Sequence, residues 1–165
     1  MRWDRVLTLG AAVAACVALV GCGGGTGGAG ATVSARDVPG AGTVLVDAAG
    51  RTLYFTEQDS GGQVRCVAEC VSAWVPLTVP TGTIPTGGAG VTGALAVLTR
   101  PDGGNQVTYD GRPLYTFGAD GGAGRSAGNG VRDSFGGVDF LWHAAPAAGS
   151  GSPAPDAGGG DVGGY

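Results

Sequence analysis

An internal repeat is the strongest constraint on what this chain can fold into. The sequence Gly-Arg-Thr-Leu-Tyr-Phe-Thr-Glu-Gln-Asp at residues 50–59 aligns without a gap with Gly-Arg-Pro-Leu-Tyr-Thr-Phe-Gly-Ala-Asp at residues 111–120. Each block follows a short β-rich run and is later followed by a tryptophan, Trp74 or Trp142. A small repeated unit cannot cover its own apolar face, so we expect the two copies to pack against each other.

The local sequence signals predict β-structure in both copies. Asp110-Gly111 lies between residues 106–109 and 112–117, and an Asp-Gly pair between two such runs is a strong hairpin signal. With residues 94–100 in front, this hairpin becomes a three-stranded meander. Because proline donates no backbone hydrogen bond, Pro113 predicts that its strand is an edge there or begins there.

Further strands are expected at residues 74–78 and 140–143, and one or two helical turns between residues 66 and 73. The predicted fold class is therefore all-β. Two pseudo-symmetric antiparallel repeats are expected to pack as a small sandwich or barrel, with a short helical turn near the Cys-x-x-x-Cys segment.

The amino terminus has the features of an export signal. Arg2 and Arg5 precede an uncharged apolar run, residues 6–20, which is short for a membrane span. The run ends in Leu-Val-Gly followed by Cys22, a pattern similar to the bacterial lipobox. We expect a signal peptide over residues 1–21, acyl chains on Cys22 and anchoring to the extracytoplasmic face of the membrane; the alternative is an ordinary secretory signal with an unrelated cysteine.

Composition divides the rest of the chain. Glycine (36 residues) and proline (9) concentrate on either side of the repeats, where too little apolar surface is available to offset ordering entropy. We therefore expect a linker over residues 22–42, a β domain over residues 43–145 with repeats at about 43–78 and 94–143, and a disordered tail over residues 146–165. The net charge of −4 without a basic cluster argues against a nucleic-acid partner, and no cofactor is predicted.

The repeated blocks resemble a family of secreted repeats, many of them lipoproteins, marked by a Tyr-x-aromatic-x-x-Asp motif. The second block fits this motif fully, whereas the first has its aromatic residue, Phe55, one place early. The first repeat also shows the family's Cys-x-x-x-Cys followed by a Trp-x-Pro-Leu segment. The resemblance implies export and, for many members, lipidation, but no established activity. The motif residues, of unknown role, are Tyr54, Asp59, Tyr115, Phe117 and Asp120.

Cys66 and Cys70 are the strongest candidates for a chemical role. In an oxidising compartment this pair most simply forms a disulfide. The alternative is a thiol-redox or copper-handling site, in which both sulfurs and His143, the only histidine, bind a soft metal.

Other candidate sites are weaker. Ser126 lies in a Gly-x-Ser-x-Gly sequence, yet the strand and helix that flank a nucleophile elbow are not predicted around it. A calcium site could draw on Asp120, Asn129, Asp133 and Asp139, but no calcium-loop pattern is present.

The repeated side chains favour structural roles. Asp59 and Asp120 are expected to accept backbone hydrogen bonds in turns, and the repeated tyrosines and tryptophans to meet in the core. The recurring arginines, Arg51 and Arg112, are expected to pack over aromatic rings or to pair with these aspartates. The sequence thus favours a non-enzymatic binding or structural module of the cell envelope, with the redox or copper protein as the alternative.

Overall fold

The computed structural model describes residues 30–148, and these form ten strands with little helix. One short helix, α1, spans Cys70–Ala73, and 3₁₀ turns span Glu57–Gly62 and Gly118–Asp120. No helix in this part of the chain has the length and apolar character needed to cross a membrane. The strands are β1 Val33–Val38, β2 Gly42–Asp47, β3 Leu53–Thr56, β4 Trp74–Pro76, β5 Leu95–Thr99, β6 Asn105–Tyr109, β7 Arg112–Pro113, β8 Tyr115–Phe117, β9 Arg132–Phe135 and β10 Val138–Ala144.

The strands form three antiparallel sheets. A five-stranded sheet has the order β4-β8-β3-β10-β9, and the two smaller sheets are β1-β2 and β5-β6-β7. This arrangement confirms the predicted all-β class, and the short helix α1 begins at the second cysteine, in the segment where helical turns were expected.

A pseudo-twofold axis passes between β3 and β8, the two strands that contain the motif tyrosines. β3 pairs with β8, so that Tyr54 lies opposite Tyr115. The equivalent backbone hydrogen bonds recur in both halves: the Ala145 N–H donates to the Leu53 carbonyl at 2.8 Å, as the Leu77 N–H donates to the Leu114 carbonyl at 2.9 Å. The predicted packing of two related repeats is thereby confirmed.

The turns set the correspondence between the two halves. In the second repeat Asp110 (φ 48°) and Gly111 (φ 77°) form the predicted two-residue hairpin turn, with both residues in the left-handed region. In the first repeat three residues, 48–50, connect Asp47 to Arg51. Strands before the turn therefore correspond at an offset of 62 residues, and those after it, including both tyrosines, at 61. After the tryptophans the offset is 68.

The ordered domain extends beyond the predicted boundaries at both ends. β1 lies inside the segment predicted as linker, and its Val33 and Val38 are only 0% and 2% exposed. At the other end the buried Ala147 donates its N–H to the Thr43 carbonyl at 3.1 Å. The prediction missed β1 because this strand follows a glycine-rich tract and is stabilised by pairing with β2. The predicted signal peptide, Cys22, the first part of the predicted linker and residues 149–165 lie outside the described residues.

Two further elements differ from the sequence prediction. Residues 112–117 do not form one strand, because the chain leaves the three-stranded sheet after Pro113 and enters the five-stranded sheet at Tyr115. Leu114, between them, is fully buried. As predicted, β7 with Pro113 is an edge strand. β9 was not predicted; it forms a hairpin with β10 across Gly136-Gly137.

The five-stranded sheet separates two apolar cores. One core lies between this sheet and the two smaller sheets and includes Leu45, Leu53 and Leu114. The other lies on the opposite face, where the disulfide segment covers aromatic side chains. The members of this aromatic core are Tyr54, Cys66, Cys70, Trp74, Tyr115, Phe140 and Trp142.

One carboxylate joins the two tryptophans of the aromatic core. The rings of Trp74 and Trp142 stack with centroids 3.9 Å apart. Their indole N–H groups donate to the two oxygens of Asp133, at 2.7 Å and 2.9 Å. A buried indole N–H requires such a partner, so β9, which carries Asp133, fixes both rings.

We expect Asp133→Ala to lower the free energy of unfolding by about 2–4 kcal/mol, because two indole N–H groups lose a charged acceptor. Asp139→Ala, on the exposed part of the adjacent strand β10, is the matched control, and a change within about 0.5 kcal/mol is expected there. Urea unfolding followed by tryptophan fluorescence measures both. Equal effects of the two substitutions would contradict this role of Asp133.

Candidate functional site

The motif tyrosines occupy the centre of the molecule. Tyr54 in β3 and Tyr115 in β8 lie opposite each other, and both side chains are fully buried on the aromatic face. Each strand continues into a 3₁₀ turn that contains the motif aspartate, Asp59 or Asp120. The short turn brings each carboxylate back over the sheet, beneath the surface.

The tyrosines and aspartates bond across the two repeats. The Tyr54 hydroxyl donates to Asp120 Oδ2 at 2.8 Å. The Tyr115 hydroxyl donates to Asp59 Oδ2 at 2.5 Å. The tyrosine of each motif copy therefore donates a hydrogen bond to the aspartate of the other copy. The five-residue spacing of Tyr and Asp reflects this exchange and not a contact within one motif.

The two aspartates differ in their second oxygen. Asp59 Oδ1 accepts the backbone N–H groups of Arg65 and Cys66 at 2.7 Å and 3.2 Å, as expected for a turn residue. Asp120 Oδ1 is buried and accepts no hydrogen bond within residues 30–148. The expectation that Asp120 accepts backbone hydrogen bonds is wrong, because its occupied oxygen bonds the tyrosine instead.

A buried arginine, Arg100, lies beside the hydrogen bond between Tyr115 and Asp59. Arg100 is 3% exposed. Its guanidinium donates to Gln106 Oε1 at 2.7 Å and to the Cys66 carbonyl at 2.9 Å, and contacts the Tyr115 hydroxyl at 3.4 Å. Asp102, at the surface, pairs with the same guanidinium at 3.0 Å. This network links the second repeat to the disulfide segment.

The other half has apolar residues at the corresponding positions. At the offset of 62, Arg100 corresponds to Val38 and Gln106 to Val44, and both valines belong to a small apolar cluster. Sequence reasoning missed Arg100 because an arginine after a strand and before Pro101 is ordinarily exposed. Only the register of the β5–β6 hairpin reveals that it enters the core.

Burial changes the acid–base properties of both tyrosines. Desolvation, followed by the hydrogen bond and charge of Asp120, raises the pKa of Tyr54 far above its ordinary value of 10.0. Desolvation and the nearby Asp59 carboxylate raise the pKa of Tyr115 in the same way. A hydroxyl that keeps its proton donates to a carboxylate and does not act as a base.

The predicted disulfide between Cys66 and Cys70 is present. The Cα atoms are 5.2 Å apart, and both residues are fully buried against the aromatic core. The bridge closes the turn that precedes α1. The Cys66 carbonyl in this turn accepts the hydrogen bond from Arg100. Its position is that of a structural cross-link.

The structure does not bring His143 to the cysteines. His143 follows Trp142 in β10, so its side chain lies on the other face, against the Phe55 ring at 5.6 Å. Throughout residues 30–148 no cluster of three His, Cys, Asp or Glu side chains has a metal-binding arrangement. The three ligands of the copper alternative are therefore not assembled in this conformation.

The remaining candidates are also engaged in structural contacts. The Ser126 hydroxyl donates to the Pro39 carbonyl at 3.0 Å. Asn129 Oδ1 accepts the Ala144 N–H at 3.0 Å. With Asp120 bonded to Tyr54 and Asp133 bonded to the tryptophans, three of the four proposed calcium ligands, Asp120, Asn129 and Asp133, already have partners elsewhere.

The aromatic residue of the motif lies on different faces of the sheet in the two repeats. Phe117 stacks on Trp74 at 4.2 Å in the aromatic core. Phe55, one place earlier in its copy, faces the opposite core, where the Arg112 guanidinium lies 4.5 Å above its ring. The shift of one residue thus moves the side chain through the sheet. Arg51, the equivalent of Arg112, pairs with Asp47 at 2.6 Å and not with a motif aspartate.

We expect the domain to lose stability as the pH rises above about 10. The tyrosines of the unfolded chain then ionise, whereas Tyr54 and Tyr115 keep their protons in the folded state. The unfolded state binds fewer protons, so the free energy of unfolding falls by up to about 1.4 kcal/mol per pH unit for each tyrosine. Urea unfolding between pH 8 and 11 measures this slope.

The double variant Tyr54→Phe, Tyr115→Phe is the control for that slope. It should be less stable at pH 8, because the two carboxylates lose their hydroxyl donors, and it should lose most of the pH dependence above 10. An unchanged slope would assign the alkaline sensitivity to other groups.

Comparison with known proteins agrees with this architecture. A family model described as a secreted repeat of unknown function matches residues 36–78 and 96–145, which correspond to the two structural repeats. No curated protein and no solved structure matches the chain. Since the family model covers more than half of the sequence, the chain belongs to this family of secreted repeats.

Proposed function

We propose that this protein is a lipid-anchored module on the extracytoplasmic face of the bacterial membrane, which acts by binding or by a structural role in the envelope and not by catalysis. Membership of a secreted family supports the location. The single observation that supports the non-catalytic role is the use of the motif: its tyrosines and aspartates are buried and hold the two repeats together.

The tyrosines and aspartates of the motif that identifies the family are buried and are not available to a ligand at the surface. Tyr54, Tyr115 and Asp59 are 0% exposed, and their hydrogen bonds are internal. A catalytic group has to reach a substrate, so these side chains are better suited to define the fold than to carry out a reaction. Binding would then depend on exposed residues outside the motif, which differ between the two halves.

The proposed anchor places the domain near the lipid headgroups. Cys22 precedes β1 by eleven residues. Even fully extended, this length spans at most roughly 40 Å. Because the domain begins with β1 at Val33 and not at residue 43, the proposed tether is about half as long as the predicted linker.

The lipid anchor is tested by substitution of its attachment site. We expect the parent protein to partition with membranes and Cys22→Ala to appear in the soluble extracytoplasmic fraction or as an uncleaved precursor. Metabolic labelling with a palmitate analogue should mark the parent and not the variant. Cys16→Ala, a change within the proposed signal peptide, is the control and should behave like the parent. Equal labelling of Cys22→Ala and parent would refute lipidation at this residue.

The redox or copper alternative gives a different outcome with thiol reagents. If the Cys66–Cys70 bridge is structural, the folded protein should resist millimolar dithiothreitol at neutral pH, since both sulfurs are buried. Reduction should require denaturant, and the refolded dithiol should take up no Cu(I). Rapid reduction of the native protein with stoichiometric Cu(I) binding, abolished by His143→Ala, would favour the alternative.

A further inference from the structure

The outer edge of β1 is covered by the chain that connects the two repeats. The Val33 N–H donates to the Thr86 carbonyl at 3.1 Å, and the Val33 carbonyl accepts the Gly88 N–H at 2.8 Å. The Ala35 N–H donates to the Ala89 carbonyl at 3.3 Å. Together they form a parallel β-bridge between Val33 and Gly87 at the edge of the β1-β2 sheet.

The corresponding edge of β5 has no such cover within residues 30–148, where β5 pairs only with β6. The Ala94 carbonyl and the Arg100 N–H bond toward the β6 side. By alternation, Leu95 and Val97 direct their N–H groups outward. Val97 is 39% exposed. An apolar edge strand with free backbone groups favours pairing with another strand.

The pseudo-twofold axis identifies the segment that corresponds to the cover of β1. The Val79 N–H donates to the Asn105 carbonyl at 2.9 Å, as the Ala147 N–H donates to the Thr43 carbonyl at 3.1 Å. Val79 and Ala147 therefore occupy equivalent places in the two repeats, at an offset of 68 residues. Residues 85–90 then correspond to residues 153–158. Their sequences are Pro-Thr-Gly-Gly-Ala-Gly and Pro-Ala-Pro-Asp-Ala-Gly, which share proline, alanine and glycine at the first, fifth and sixth positions.

The differences between these two segments agree with differences in the strands they would cover. A Cβ added at Gly88 would lie 2.7 Å from the Ser34 hydroxyl and 3.2 Å from the Ala31 methyl. At the offset of 62, the second repeat has Ala96 and Gly93 there, which lack both obstructing atoms. The later segment has an aspartate at this position, and the second repeat has room for its Cβ.

The same agreement holds one residue earlier. A Cβ at Gly87 would lie 3.2 Å from the Val91 side chain, whereas the later segment has Gly159 in place of that valine. The counterpart of Gly87 is Pro155, which has no N–H. The bonds to the β1 edge use the groups on either side of Gly87 and not its own N–H, so a proline is compatible with this pairing.

Glycine is retained where the geometry requires it. Gly90 has a φ of 81°, and a Cβ there would lie 2.8 Å from the Ala35 methyl. The strand residue at the equivalent place is Val97, which is larger than alanine. The later segment keeps a glycine, Gly158, at this position.

We propose that residues 153–158 pair in parallel with the outer edge of β5, as residues 85–90 pair with β1. The chain length suffices, because six residues lie between Val79 and Thr86 and also between Ala147 and Ala154. The occupant of this edge is thus the carboxyl-terminal segment of the same molecule. It completes the symmetry of the domain and protects an apolar edge from strand pairing between molecules.

Hydrogen exchange of the full chain, compared with a variant that ends at Ala148, tests this pairing. We expect the outward-pointing amides within residues 94–99, those of Leu95 and Val97, to exchange at least roughly tenfold faster in the shortened chain. Amides in residues 31–37, at the equivalent edge, are the internal reference and should exchange equally in both proteins. Equal exchange of residues 94–99 in both proteins would overturn the proposal.

Two single substitutions keep the test independent of truncation. Gly158→Val forces a β-branched residue into the position that corresponds to Gly90, so it should reproduce the fast exchange of residues 94–99. Gly164→Val lies beyond the proposed strand and should leave the exchange slow. Exchange is also measured at two protein concentrations, because protection that rises with concentration would show that a second molecule covers β5 and would refute the intramolecular pairing.

Discussion

The two crossed hydroxyl–carboxylate hydrogen bonds are the interaction on which the rest of the structure depends. Both lie at the centre of the five-stranded sheet, where β3 and β8 meet. A hydrogen bond to a charged group contributes about 1.5–3 kcal/mol, and a buried carboxylate without a donor is strongly destabilising. Since each tyrosine bonds the aspartate of the other repeat, neither repeat can satisfy its own buried groups. The two halves are therefore obligate partners within one cooperative domain.

The aromatic core repeats this logic with different chemistry. Trp74 and Trp142 come from the two repeats, stack on each other and share the carboxylate of Asp133. Asp133 lies on β9, which has no counterpart in the described part of the first repeat. In the first repeat the disulfide segment packs against the same core. The duplicated frame is thus completed by two unrelated additions.

The symmetry is also broken at the level of single side chains. Arg100 and Gln106 form a buried polar network beside Tyr115, whereas Val38 and Val44 form an apolar contact in the other half. A buried guanidinium is tolerated only when its donors are satisfied, and here Gln106, the Cys66 carbonyl and Asp102 accept them. One half therefore depends on polar contacts to the disulfide segment, while the other relies on apolar packing.

The sequence by itself determined the duplication, the strand-rich class, the Asp110-Gly111 turn and the proximity of Cys66 to Cys70, because these depend on residues that are near one another in the chain. It did not reveal β1, which receives its hydrogen bonds from β2 and from the inter-repeat segment. The crossed pairing of the motif was equally hidden, since Tyr54 and Asp120 are 66 residues apart. Only the tertiary structure decided these partners and the burial of Arg100, because long-range register, and not local propensity, selects which buried donor meets which acceptor.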